Sequence, residues 1–256
     1  MTNLKGKDVD LLLKASRCGD NKTVDFLIAR GISVKAVNIY GVNALMYASS
    51  GGNDTIVDSL INRGSDVKAV DENGKNALMY ASESGKDKTV DLLINRGSDV
   101  KAVDENGKNA LMYTSRNGKD KIVDSLINRG SDVKAVDQNG KNALMYASES
   151  GKDKTVDLLI NRGSDVKAVD KYGMNALMYA SKNGNVKIVD LLIKKGSDVK
   201  AVDRNGKNAL MYASESGNDK TIELLINRGI CHLSPNGNYS TEVHGYRRFH
   251  TKYNRL

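Results

Sequence analysis

The chain has no tryptophan, two phenylalanines and one proline among its 256 residues. With so few purely apolar aromatic side chains, one thick globular core is hard to fill. With a single proline and 24 glycines, turns must be made by glycine. The two cysteines, Cys18 and Cys231, lie far apart, which excludes a disulfide framework and fits a reducing compartment. A cytoplasmic protein is the expectation. No apolar run approaches the ~20 residues that cross a bilayer, and no signal-peptide pattern follows Met1, so neither a membrane span nor a leader is read. The histidines, His232, His244 and His250, fall in the last stretch of the chain. Cys231 sits beside the first of them, but no Cys-x-x-Cys or close His pair accompanies it, so free side chains are expected there rather than zinc ligands. No Gly-rich phosphate loop is present. Carboxylates recur evenly along the chain, whereas acid–base chemistry needs one unusual environment. No catalytic residue, cofactor or metal is expected.

What the chain has is 39% hydrophobic residues and a net charge of +8. The first value is enough for a fold, with a thin core. The second invites a nucleic-acid reading, which the distribution weakens. Residues 1–37, 170–202 and 236–256 each carry +3, while residues 38–169 sum to −1. The basic character is local and does not run as a continuous stripe.

The dominant feature is a repeat. Asn-Ala-Leu-Met-Tyr recurs at 43, 76, 109, 142, 175 and 208, always 33 residues apart. Residues 71–103 and 137–169 differ only at Glu72 against Gln138. An opening segment fits the second half of the pattern, with Thr23-Val24-Asp25-Phe26-Leu27-Ile28 aligned to Thr89-Val90-Asp91-Leu92-Leu93-Ile94. Within 71–103, Asp71-Glu72-Asn73-Gly74 is a turn sequence. Asn76 is placed to N-cap a short helix running to about Ser84, with Ala77, Leu78 and Ala81 on one side. Gly85 ends it, and a second helix is predicted from about Asp87 to Arg96, with Val90, Leu93 and Ile94 as its apolar face. Helices this short are marginal alone, so stability must come from stacking one unit on the next.

The 33-residue period, the Asp-x-x-Gly turn, the leucine-rich second helix and the close Gly97-Ser98-Asp99-Val100-Lys101-Ala102 resemble the ankyrin-repeat family, over about residues 5–230. The resemblance implies an all-α repeat solenoid of about seven stacked helix-turn-helix units with β-turn fingers and a concave face. The expected organisation is an N-terminal capping repeat at 1–37, five full repeats at 38–202, and a last repeat at 203–235 that degenerates at its end. A basic polar segment follows at 236–256 and is expected to be disordered. The family commonly opens its first helix with Thr-Pro-Leu-His. Here Asn76-Ala77-Leu78-Met79 gives up the proline's fixed φ and the histidine's polar contacts, so lower stability per unit is expected.

In proteins similar to this one, partners touch the turn tips and the exposed side of the first helices. Carried to matching positions, the candidates are Ile39, Tyr40 and Val42 in the first tip, and Glu72 and Lys75 in the second. Lys171, Tyr172 and Met174 follow in the fifth and Arg204 in the sixth, with Arg116 and Lys182 on the helices. Tyr40 and Tyr172 replace polar tip residues with the aromatic type favoured as interface anchors. Drift, or padding of a neighbouring turn, is the other reading of these two tips. The tyrosine column, Tyr47 through Tyr212, could offer stacking surfaces to single-stranded nucleic acid, but it falls where the family has mostly buried apolar residues, which favours packing. The lysines at 35, 68, 101, 134, 167 and 200 mostly follow an aspartate by two residues, which favours local charge balance on a solvated face.

The resulting expectation is a non-catalytic, monomeric scaffold for an unidentified partner protein. The alternatives are binding of nucleic acid or an acidic surface through the basic ends, and a recently duplicated array with no strongly selected partner. Usage rich in Asn, Lys, Asp, Ser and Tyr is what AT-rich genomes encode. Intracellular bacteria, protists and large viruses share that trait, so delivery into a host cell stands beside the cytoplasm as a possible location.

Overall fold

The computed structural model describes residues 2–229, with side chains from Gly6 onward. The expectations for Cys231, the three histidines, the end of the last repeat and the basic segment lie outside the described residues. Contacts divide the chain into two compact units that meet at Asp132 and Val133. The first holds four helix pairs: α1 (Thr2–Cys18) with α2 (Asn21–Ala29), α3 (Ala44–Gly51) with α4 (Asp54–Asn62), α5 (Ala77–Ser84) with α6 (Asp87–Asn95), and α7 (Ala110–Asn117) with α8 (Asp120–Asn128). The second holds three: α9 (Ala143–Glu149) with α10 (Asp153–Asn161), α11 (Ala176–Lys182) with α12 (Val186–Lys194), and α13 (Ala209–Glu215) with α14 (Asp219–Asn227). The described residues thus contain about the seven units expected. The opening segment is a complete pair with a long first helix, where the repeat pattern alone had matched only the second half.

The first helices begin where the asparagines put them. Asn43, Asn76, Asn109, Asn142, Asn175 and Asn208 each accept the amide of the residue three further on, at 2.9–3.0 Å. That bond satisfies one of the donors every helix start leaves open. The Ala-Leu-Met run that follows is buried throughout, except that Met211 in the last repeat is part-buried. The second helices are amphipathic: Ile56, Val57 and Leu60 on α4, or Ile188, Val189 and Leu192 on α12, point inward. Within each unit, first helices pack on first helices and second on second, in register, and each pair closes on itself. Burying a Leu or Ile side chain stabilises by roughly 1.5–3 kcal/mol, so each pair depends on its neighbours for most of its core.

Between pairs the chain makes a finger closed by one antiparallel bridge, such as Val70 with Asn76 or Val169 with Asn175. Fingers are seated on one another through the backbone. In the first unit Glu72 N donates to Tyr40 O at 3.1 Å and Glu105 N to Asn73 O at 3.0 Å; in the second, Lys171 N donates to Asn139 O at 2.8 Å and Arg204 N to Tyr172 O at 2.9 Å. This close seating fixes the finger glycine. Gly74 has φ of +75°, and a Cβ there would lie 2.8 Å from Glu105 N, so both conformation and space exclude a side chain.

The opposite side is laced by ion pairs from one second helix to the next. Arg63 meets Asp25 at 2.6 Å, Arg96 meets Asp58, Lys195 meets Asp157 at 3.5 Å and Arg228 meets Asp190 at 2.5 Å. The Asp190 carboxyl is held below its ordinary pKa, chiefly by the hydrogen bond from Lys194. One expense remains inside. The hydroxyls of Ser49, Ser82, Ser115, Ser148 and Ser181 are buried on the first helices without a hydrogen-bond partner among the described residues.

Candidate functional site

Each finger from the second onward is organised by a buried aspartate. Asp71 Oδ1 accepts the amides of Asn73 and Lys75 at 2.8 and 2.9 Å. Asp170 does the same for Tyr172 and Met174, and Asp203 for Asn205 and Lys207. The other carboxylate oxygen accepts the hydroxyl of the tyrosine nine residues on: Tyr80, Tyr113, Tyr146, Tyr179 and Tyr212 donate to Asp71, Asp104, Asp137, Asp170 and Asp203 at 2.5–2.7 Å. Burial and the paired carboxylate hold the phenols of Tyr80, Tyr179 and Tyr212 protonated far above the tyrosine range, so they remain donors at any ordinary pH. For Asp203, burial works against the charge, and the hydrogen bonds from Tyr212 and the finger amides outweigh it, leaving its pKa below 3.8.

A lysine runs across these rings. Lys75 Nζ lies 4.8 and 4.5 Å from the ring centroids of Tyr80 and Tyr113 and 2.6 Å from Glu83. Lys141 repeats this in the second unit, 4.5 and 4.0 Å from Tyr146 and Tyr179 and 2.5 Å from Glu149. Burial lowers its pKa, and Glu149 opposes the shift. Lys207 pairs with Glu215 at 2.7 Å. From Tyr80 onward the tyrosine column is therefore a packed, hydrogen-bonded part of the finger base, as the packing reading holds.

Three candidates from the sequence are corrected. Val42 and Met174 are only 8% and 9% exposed. Their amides are bonded to Asn38 and Asp170, and their side chains lie inward. Lys75 is occupied by Glu83 and two tyrosine rings. The lysine–aspartate columns also behave differently from simple charge balance. Asp66, Asp99, Asp165 and Asp198 spend a carboxylate oxygen on the backbone amide of the lysine two residues on, at 2.8–2.9 Å.

The remaining candidates stand on the surface. Ile39 is 80% exposed, Tyr40 60% and Tyr172 57%, and Glu72, Arg116, Lys171, Lys182 and Arg204 are exposed. The finger seating brings Ile39, Tyr40 and Glu72 together in the first unit and Lys171, Tyr172 and Arg204 together in the second. Each finger also carries a half-exposed valine, among them Val169 and Val202. The Asp–Tyr bond was missed altogether. Its signal was available: aspartate and tyrosine recur nine residues apart in five units, while the first finger has Asn38 instead. Among the described residues no group of three His, Cys, Asp or Glu is arranged to hold a metal ion, and no helix is long and apolar enough to cross a membrane.

Comparison with known proteins agrees with this architecture. The ankyrin domain of human ASB11, in its crystal structure, superposes with a TM-score of 0.75 over 84% of this chain and 96% of that one, at 23% identity. Since 612 solved chains match at this level, the likeness identifies a fold and no particular partner. A search of curated protein sequences finds no match. The family profile for ankyrin repeats in three copies matches residues 11–104, 87–170 and 152–236. Proteins of that kind are generally protein–protein interaction modules and typically non-catalytic. With nearly the whole described chain matched by that profile, and helix pairs and fingers to go with it, this chain belongs to the ankyrin-repeat family.

Proposed function

We propose that the chain is a non-catalytic scaffold that binds a partner protein through its finger tips and the exposed side of its first helices. The observation that carries this reading is the exposure of Tyr40 and Tyr172 on fingers held rigid from below. A rigid, exposed aromatic gives contact area at small entropic cost. The repeats themselves support the choice. Residues 71–103 and 137–169 are identical but for one position, so their tips are not individually tuned, whereas the two tyrosine tips depart from the shared pattern. Residues 1–37 serve as the N-terminal cap and 203–235 as the closing repeat in this reading, and the scarcity of cysteine supports residence in the cytoplasm.

Affinity capture with the full chain tests it. A specific partner is expected, with capture reduced at least about ten-fold by Tyr40→Ala or Tyr172→Ala. A single partner that stays bound after both changes would remove the tips from the account.

A further inference from the structure

We propose that the fingers of the second unit receive an acidic segment of a partner protein, one of whose apolar side chains seats on Tyr172. This rests on the partner-binding reading and names the chemistry of the partner. Tyr172 has Lys171 before it in the chain and Arg204 beside it through the backbone bond from Arg204 N to Tyr172 O. Lys171 and Arg204 are exposed, and neither has a side-chain ion pair or hydrogen bond among the described residues. The carboxylates at the base of these two fingers do not answer them. Asp170 and Asp203 are buried and each already accepts three hydrogen bonds.

The first helix adds a third cation by a specific exchange. In the neighbouring repeats of this unit, positions 141 and 149, and 207 and 215, are lysine–glutamate pairs in contact. In the repeat that carries Tyr172 the same two positions are Met174 and Lys182. Met174 is buried, and Lys182 is exposed with no carboxylate of its own. A neutral pair has become an apolar prop and an unmatched cation. The contact between 141 and 149 also shows that position 182 lies on the side of the helix that faces the base of its own finger. Lys171 and Arg204 thus flank one exposed ring as cations with no ion pair among the described residues, Lys182 stands as a third on the first helix of the same repeat, and Val169 and Val202 are half exposed on the same two fingers. Complementary charge of this kind favours an acidic partner and rejects a basic one. A protein segment is favoured over nucleic acid because, among the described residues, the second unit's fingers expose a single ring, while Tyr146, Tyr179 and Tyr212 donate to aspartates; single-stranded nucleic acid needs successive stacking faces.

The test is a titration of the full chain with a short fluorescent peptide of Asp and Glu residues around one Leu and one Phe. A matched peptide with Lys in place of the acids and a labelled oligothymidine run in parallel. Saturable binding of the acidic peptide is expected, weakening about ten-fold between low and high salt. The double variant Lys171→Glu with Arg204→Glu should weaken it at least about ten-fold and Tyr172→Ala about five-fold. Tyr40→Ala and Glu72→Lys, in the first unit, should change it less than about two-fold. Circular dichroism checks that the variants stay folded. Three results overturn the proposal: binding that survives the second-unit changes, equal binding of the lysine peptide, or tighter binding of the oligothymidine. No binding at all overturns it too. If capture yields a partner held through Tyr172 whose contacting segment is not acidic, the scaffold reading stands and this one falls. If the peptide behaves as expected but capture yields no partner, the scaffold reading loses its support instead.

Discussion

Tyr40 and Tyr172 occupy the same place in two fingers, and nearly everything around them differs. The first is flanked by Ile39 and Glu72, the second by Lys171 and Arg204. The first finger is built on Asn38, whose amide oxygen accepts the N–H groups of Tyr40 and Val42 at 3.0 Å. The second is built on Asp170, which accepts the same two amides and also the Tyr179 hydroxyl. Asparagine is thus sufficient to shape a finger. Aspartate adds a tie from the finger to the helix that follows it. The fold fixes where the aromatic points, and the residues at the base and flanks set how firmly it is held and what charge it presents.

The difference at the base is open to direct attack. Asp170→Ala leaves two amides and a buried phenol without an acceptor and should cost about 3 kcal/mol in urea denaturation, whereas Asn38→Ala should cost about 1 kcal/mol. Equal costs would mean that the charged tie contributes nothing. Acid separates the two kinds of base in another way. A carboxylate whose folded pKa lies below its unfolded value near 3.8 stabilises fully above that value and loses the contribution as pH falls through the folded pKa. Amide protection at Asn205 and Lys207, on Asp203, should therefore drop below pH about 4 while that of Tyr40 and Val42, on neutral Asn38, persists; hydrogen exchange against pH reads both. A smaller effect tests whether the two units share the same interior. Ser82→Ala and Ser148→Ala each remove a buried, unpartnered hydroxyl and should raise stability by about 0.5–1 kcal/mol, alike in both units. The smallest belongs to the outer ion pairs. Arg63→Ala and Arg228→Ala should each change stability by less than about 0.5 kcal/mol, a difference that vanishes in high salt.

Most of the architecture was legible because each element is signalled locally. Asn76 marks a helix start, Gly85 its end, and the spacing of Val90, Leu93 and Ile94 a buried face; the structure places the start and the end as read, and buries Val90 and Leu93 with Thr89 while Ile94 is only part-buried. The finger was harder, for two reasons. Its apolar residues look alike in sequence, yet Val42 and Met174 are buried while Val169 and Tyr172 stay out, although the base residue takes the amides at its second and fourth successors alike. And Tyr80 sits at an apolar register position, so periodicity describes its ring and is silent about its hydroxyl, whose direction depends on a chain reversal nine residues earlier. The contact that joins Tyr80 to Asp71 also supplies a tie between helix and finger, the kind of polar contact that Met79 does not make. The lower stability expected of each unit was argued from Met79 alone and did not count this bond.

The seating of one finger on the next carries a consequence for how such a chain changes length. Within the first unit, each finger asks of its predecessor one carbonyl oxygen and room for a glycine, and satisfies its own aspartate or asparagine without outside help. Excising a whole period, such as residues 71–103, would bring Glu105 N to Tyr40 O, the same acceptor that Glu72 now uses. The splice is silent to the backbone wherever it falls in step. Gain or loss of complete modules by recombination therefore meets little physical resistance, while a slip of even one residue would misplace the cradle at the splice.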